Sequence, residues 1–279
     1  MTTIDRPVGA SRWGGAGLTT LTWILTLAFV FPAAWMILTG FKHEVDAFTR
    51  TPQLVFEPTL QQFRAVFDRN FAPYLMNSAF ATGMSTLLVL AFGLPASYVL
   101  AIKPIPRWRD ALFFFISTRM LPLVGAIVPI YVIARDLGVL DNITTLTLIY
   151  TALNLPIAVW MLRSFLLEIP REVLEAARVD GASLGQILRR VVLPIIAPGV
   201  AATALICVIF SWNEFFFAVN LTSSTAPTVP VYLVGFITAE GLFWARMSAA
   251  ATMASLPVLL AGWIAQKQLV RGLSFGAVK

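Results

Sequence analysis

The sequence is short of charge, of histidine and of cysteine. Only 12% of its 279 residues are Asp, Glu, Lys or Arg, about half the share carried by soluble domains. So little charge cannot coat a water-facing surface, which excludes a soluble globule, a disordered chain and a coiled coil. Cys207 is the single cysteine and His43 the single histidine. A disulfide framework is therefore excluded, and so is a His/Cys zinc site within the chain. No phosphate-binding Gly-x-x-x-x-Gly-Lys-Ser/Thr loop and no His-Glu-x-x-His pattern occurs.

What is present is apolar: 58% of residues, with a mean hydropathy of +0.81. This composition is that of an integral membrane protein. The net charge of +6 follows from topology, because basic residues gather in cytoplasmic loops, and nucleic acid is not an expected partner.

Crossing a bilayer takes about 20 apolar residues. Six stretches qualify: 18–40, 74–101, 111–133, 143–163, 195–220 and 249–266. The first is too long for the apolar run of a cleavable signal peptide, so it reads as a retained helix. With the N-terminus inside, thirteen Lys and Arg fall in cytoplasmic segments and six in outer ones. Both termini are thus expected in the cytoplasm, as tails 1–17 and 267–279 around a transmembrane domain 18–266.

The outer loops 41–73 and 221–248 carry patterns of their own. Thr59-Leu60-Gln61-Gln62 has the form of a capping box, and Phe63, Phe67 and Phe71 recur every four residues. This predicts a short helix, either lying in the outer interface or packed on the bundle. Residues 229–238 are apolar but too short to cross, so this segment is expected to dip back toward the membrane.

The one long inner loop, 164–194, holds two amphipathic patterns. Val173, Ala176, Ala177, Leu184, Ile187, Leu188 and Val191 fall on one helical face. Arg171, Glu172, Glu175, Arg178 and Arg189 fall on the other. Gly181 interrupts the pattern as a helix C-terminal glycine does. Ser183-Leu184-Gly185-Gln186 then opens a second helix as a capping box. Acids mixed with bases make anionic lipid a poor sole partner and favour a protein socket.

Glu175-Ala176-Ala177, then three residues and Gly181, then nine residues and Val191-x-Leu193-Pro194, resemble the EAA loop of binding-protein-dependent ABC importer permeases. Val191 replaces the usual isoleucine. Ser211-Trp212-Asn213-Glu214-Phe215 and Ser117-Thr118-Arg119-Met120 resemble the second permease of the carbohydrate class, of maltose/polyol type. The tail from Gln268 to Gly276 looks closest to mannitol and sorbitol permeases. The resemblance implies an all-α fold of six transmembrane helices with a cytoplasmic coupling helix. It also implies a bacterial inner-membrane location. Glu175, Ala176, Ala177, Asp180, Gly181 and Ser183 would couple the chain to its ATPase. The implied partners are a homologous permease, two ATP-binding subunits and an extracytoplasmic solute-binding protein. This chain itself would bind no cofactor, with ATP and Mg on the ATPase.

Arg119, Asn154, Asn213 and Glu214 interrupt apolar spans, where polar groups usually face a cavity or a partner. They are the candidate translocation-path or gate residues. A structural role in helix–helix contacts is the alternative, and an Arg119–Glu214 ion pair is compatible with their depths. Other functions fit less well. An ion-coupled carrier would show repeats and a proton relay, and an intramembrane enzyme would need a catalytic pair that is missing. An oligosaccharide or glycerol-phosphate importer is the nearer alternative to a polyol one.

Overall fold

The computed structural model describes residues 12–49, 51–103, 105–120, 122–239 and 241–275. Four helices are long and apolar enough to cross a bilayer alone. These are α1 (Arg12–Gly40), α4 (Phe71–Ile102), α7 (Ile143–Leu167) and α14 (Trp244–Phe275). Two further spans are broken ones. Helices α5 (Trp108–Arg119) and α6 (Leu123–Asp136) meet at 89°. The segment Leu184–Ile195 meets α11 (Ala197–Trp212) at 82°. Five expected spans are thus a helix or a bent pair. The sixth, 195–220, is α11 followed by a break at 213–215 and a short helix, and the segment before its bend is the end of the 164–194 loop. The helices themselves run past the expected spans: α1 starts at Arg12, and α14 continues to Phe275. Residues 1–11 and 276–279 of the expected tails lie outside the described residues.

The centre of the bundle is the α4–α7 pair. On α4 the buried positions Ser78, Thr82, Ser85, Val89, Gly93 and Ser97 recur every three to four residues. All are small, which lets the two backbones approach, as between helices in lipid. Gly93 shows the fit, since a Cβ there would stand 3.6 Å from a Leu162 methyl. Some hydroxyls here are paired within their own helix, since Thr147 and Thr151 donate back to the carbonyls of Ile143 and Thr147, each at 2.8 Å. The buried hydroxyls of Thr82 and Thr86, by contrast, have no partner among the described residues. Helix α1 contrasts with this. No residue of its apolar window is fully buried; the helix packs along α14, and only its end, at Thr39 and Gly40, is buried.

Short elements close one end of the bundle: α2 (Glu44–Ala47), α3 (Gln61–Asp68), α12 (Phe216–Leu221), α13 (Val229–Val234) and a hairpin of β1 (Ile237–Thr238) and β2 (Gly241–Leu242). Helix α3 packs on the bundle, burying Gln62 and Val66 while Phe67 stays exposed. The capping box expected at Thr59 is incomplete. Thr59 Oγ1 accepts from the Gln61 N–H at 3.1 Å, without a reciprocal bond from Gln62. Of residues 229–238, the first six form α13, which packs on α4 and α14 with Val229 and Tyr232 buried, and the last two form β1.

One carboxylate ties these loops together. Asp141, at the turn between α6 and α7, accepts from the N–H groups of Ser223, Ser224, Thr225 and Ala226 at 2.8–3.0 Å. Partial burial works against its charge. The four N–H donors outweigh that and hold the carboxyl well below the usual carboxylate range.

Candidate functional site

The inner loop folds as α8 (Arg171–Val179), α9 (Leu184–Gln186), a π-helical turn at Ile187–Val192 and α10 (Leu193–Ile195). Gly181 has φ +76°, and the bonds Gly181 N–H to Arg178 O and Ala182 N–H to Ala177 O make the six-residue glycine stop expected of such a helix end. Ser183 and Gln186 form the reciprocal capping box.

The phase of the amphipathic face differs from the one expected. Leu174 is buried, with Ala177 and Ala182 packed against the same cluster, whereas Val173 and Ala176 face outward. The second helix departs for another reason. In a π-helical turn residues five apart share a face, so Ile187 and Val192 are the buried pair and Val191 is displaced from the centre. Glu175, Ala176, Asp180, Gly181 and Ser183 are all exposed, as is Val179 at 88%. The outward surface of the loop is therefore small and apolar at Ala176 and Val179, with charge on either side.

Deeper in the bundle, a cavity of about 440 Å³ is lined by residues of α5, α6, α7 and α11, with Glu214 and Phe217 beyond them. It brings together Arg119, Asn154 and Glu214. Asn213 is not part of it and spends its amide on the Ile209 carbonyl. Arg119 and Glu214 form no ion pair. The guanidinium donates to the Leu153 carbonyl at 2.8 Å and lies 5.1 Å over the Phe210 ring. The Glu214 carboxylate instead accepts from the N–H groups of Phe217 and Ala218 at 2.9 and 3.2 Å. It thereby caps α12 just after the helix breaks. Tyr150 donates to the main-chain carbonyl of Glu214.

Asn154 is buried, donates to Tyr150 O and Ser211 Oγ at 2.9 Å, and leaves its Oδ1 without a partner. Ser211 in turn meets Ser85 at 3.2 Å. This polar chain across α7, α11 and α4 was not foreseen at Ser85 and Ser211, since single serines in apolar runs are commonplace. Among the described residues no cluster of three metal-ligating side chains occurs.

A bundle of broken apolar helices, with a mainly apolar cavity that holds Arg119, Asn154 and Glu214 and a projecting mixed-charge loop, has the form of a membrane transport subunit. Comparison makes this specific. The chain belongs to the family described as "Binding-protein-dependent transport system inner membrane component", whose model matches residues 93–274. It is 40% identical over 264 residues to a probable ABC transporter permease protein, y4oR, of Sinorhizobium fredii, covering 94% of this chain and 95% of that one. It is 32% identical over 261 residues to the diacetylchitobiose uptake system permease protein DasC of Streptomyces coelicolor, covering 92% and 94%. Among solved structures it resembles a chain of a bacterial ABC transporter involved in import of the acidic polysaccharide alginate. That likeness has a TM-score of 0.74 and 25% identity, over 95% of this chain and 100% of the other. The chain is a transport component of that family rather than an enzyme.

Proposed function

We propose that this chain is one permease subunit of an ATP-driven importer for a carbohydrate, with a sugar alcohol of mannitol or sorbitol type as the finer reading. A homologous permease would complete the translocation path, and two ATPase subunits would bind ATP and Mg. An extracytoplasmic binding protein would deliver the solute. In the bacterial inner membrane both termini would be cytoplasmic, with α8 facing the ATPases.

The observation that carries this reading is the projecting α8, whose exposed Glu175, Ala176 and Val179 leave a surface that their own bundle does not cover. Small side chains there permit close approach, and the flanking charges set the register. Arg119, Asn154 and Glu214 would line the path. An oligosaccharide solute is the second reading, favoured by the diacetylchitobiose and alginate named for the relatives. The polyol reading rests on the resemblance of Thr228-Val229-Pro230-Val231 and of the C-terminal tail.

The test pairs a crosslink with transport. Cys207 is replaced, Ala176→Cys is introduced because Ala176 faces outward, and the ATPase carries a single cysteine in its docking cleft. A nucleotide-sensitive crosslink in an ATP-hydrolysing complex is expected. Absence of any crosslink in such a complex overturns the coupling assignment. Uptake of labelled mannitol against a chitobiose-type disaccharide separates the two solute readings.

A further inference from the structure

A second cavity lies at the outer end of the bundle, away from the path just described. It measures about 370 Å³ and is lined among others by Trp35, Lys42, Asp46, Gln53, Trp244 and Ser248. It sits where α1 leaves the membrane, beside the start of α14.

Lys42 is 2% exposed, and a buried ammonium is costly unless it meets an anion or several acceptors. It has three N–H donors, and one goes to the Gln53 carbonyl at 2.6 Å. Its charge otherwise rests on rings, 4.3 Å from the Trp35 centroid and 5.1 Å from that of Phe56. No carboxylate lies within ion-pair distance of it among the described residues. Asp46 lines the same cavity, half-buried, with no hydrogen bond or ion pair to its carboxylate among those described.

The cavity thus presents one cation and one anion that do not neutralise each other. Tryptophan on two sides is the composition of a membrane–water boundary. Below it, Phe31 stacks on Trp35 at 5.9 Å and is 59% exposed, so the wall continues apolar toward the hydrocarbon.

We propose that this cavity holds the headgroup of a phospholipid carrying both a phosphate and a primary ammonium, as phosphatidylethanolamine does. The phosphate meets Lys42, the ammonium donates to Asp46, and an acyl chain follows the exposed face of α1. Pairing both charges is what distinguishes this lipid from its neighbours. Phosphatidylglycerol offers no cation to Asp46, and phosphatidylcholine offers a cation without an N–H to donate.

The test is lipid competition by native mass spectrometry on the full-length protein, purified in detergent with its partner subunits. The probes are the three lipids with identical acyl chains. Phosphatidylethanolamine is expected to be retained at about tenfold lower concentration than the other two, the ratio for about 1.4 kcal/mol. Lys42→Met is expected to weaken retention of all three. Asp46→Asn is expected to remove the preference and leave the other two lipids unaffected. Equal retention of all three by the unaltered protein overturns the proposal without requiring any variant to fold. So does a preference that survives both substitutions. Failure to retain any lipid, as when a partner chain fills the cavity, overturns it as well.

Discussion

Gly199 of α11 stands against the ring of Phe165 of α7 so closely that a methyl group on Gly199 would overlap it. This contact lies just below the bend where the inner loop turns into α11. Phe165 is also packed against the cluster that holds Leu174 of α8, so the same ring touches the loop and the span.

Gly199→Ala is therefore expected to destabilise the chain by about 1–3 kcal/mol, the usual cost of overpacking. Thermal unfolding of the detergent-solubilised protein measures this. Shortening the ring partner as Phe165→Leu in the same chain is expected to recover part of the loss. A loss equal to the sum of the two single substitutions would mean that the contact is not the cause.

The loop carries two separable stops. Ser183→Ala removes the capping box at a cost of about 1 kcal/mol. Gly181→Ala forces a side chain into positive φ and costs about 1–3 kcal/mol. Both are expected to lower solute-dependent ATP hydrolysis while leaving solute binding to the delivery protein unchanged, measured on the assembled complex.

Asp141→Asn removes the charge from four N–H bonds. About 1–3 kcal/mol is expected, toward the lower end because the site is partly open to solvent. The sign of the pH dependence follows from the lowered carboxyl. Its contribution is fully present above the unfolded carboxylate value of about 3.9 and fades only as pH falls through the lower folded one. The gap in thermal stability between the unaltered chain and the Asp141→Asn variant should stay constant from neutrality to about pH 4 and close in stronger acid. A gap that closes at about pH 6, well above the carboxylate range, would refute the assignment.

In the path cavity, Glu214→Gln and Arg119→Met test transport directly. Each is expected to reduce solute uptake by about tenfold or more, the effect of one charge-assisted bond, at normal expression. Because the two side chains do not pair, their effects are expected to multiply; a double variant no worse than either single one would indicate a pair formed during transport.

Much of this was legible in the residues. Apolar run length located the spans, and Gly181 and the Ser183–Gln186 box marked the ends of the inner helices, because such signals are local. Side-chain direction was not legible. Depth permitted Arg119 and Glu214 to pair, but each found main-chain partners nearer by, the Leu153 carbonyl and the N–H groups of α12. The face of α8 was misphased because the residues chosen skipped Leu174. The π-helical turn left no local mark. Asp141 went unnoticed because its partners lie some eighty positions away. The run Ser223-Ser224-Thr225 was the one available hint of a polar turn.

Helix α1 has consequences for biosynthesis. It is made before the other spans, and no residue of its apolar window is fully buried, so it can reside largely in lipid until α14 arrives to pack against it. The central spans depend more on one another: Ser85, Asn154 and Ser211 bond across three helices, and α4 must wait for α7 to emerge. The order of manufacture therefore starts with the least buried span and continues with central ones, α4 and α7, that have to be gathered before either is at ease in the bilayer.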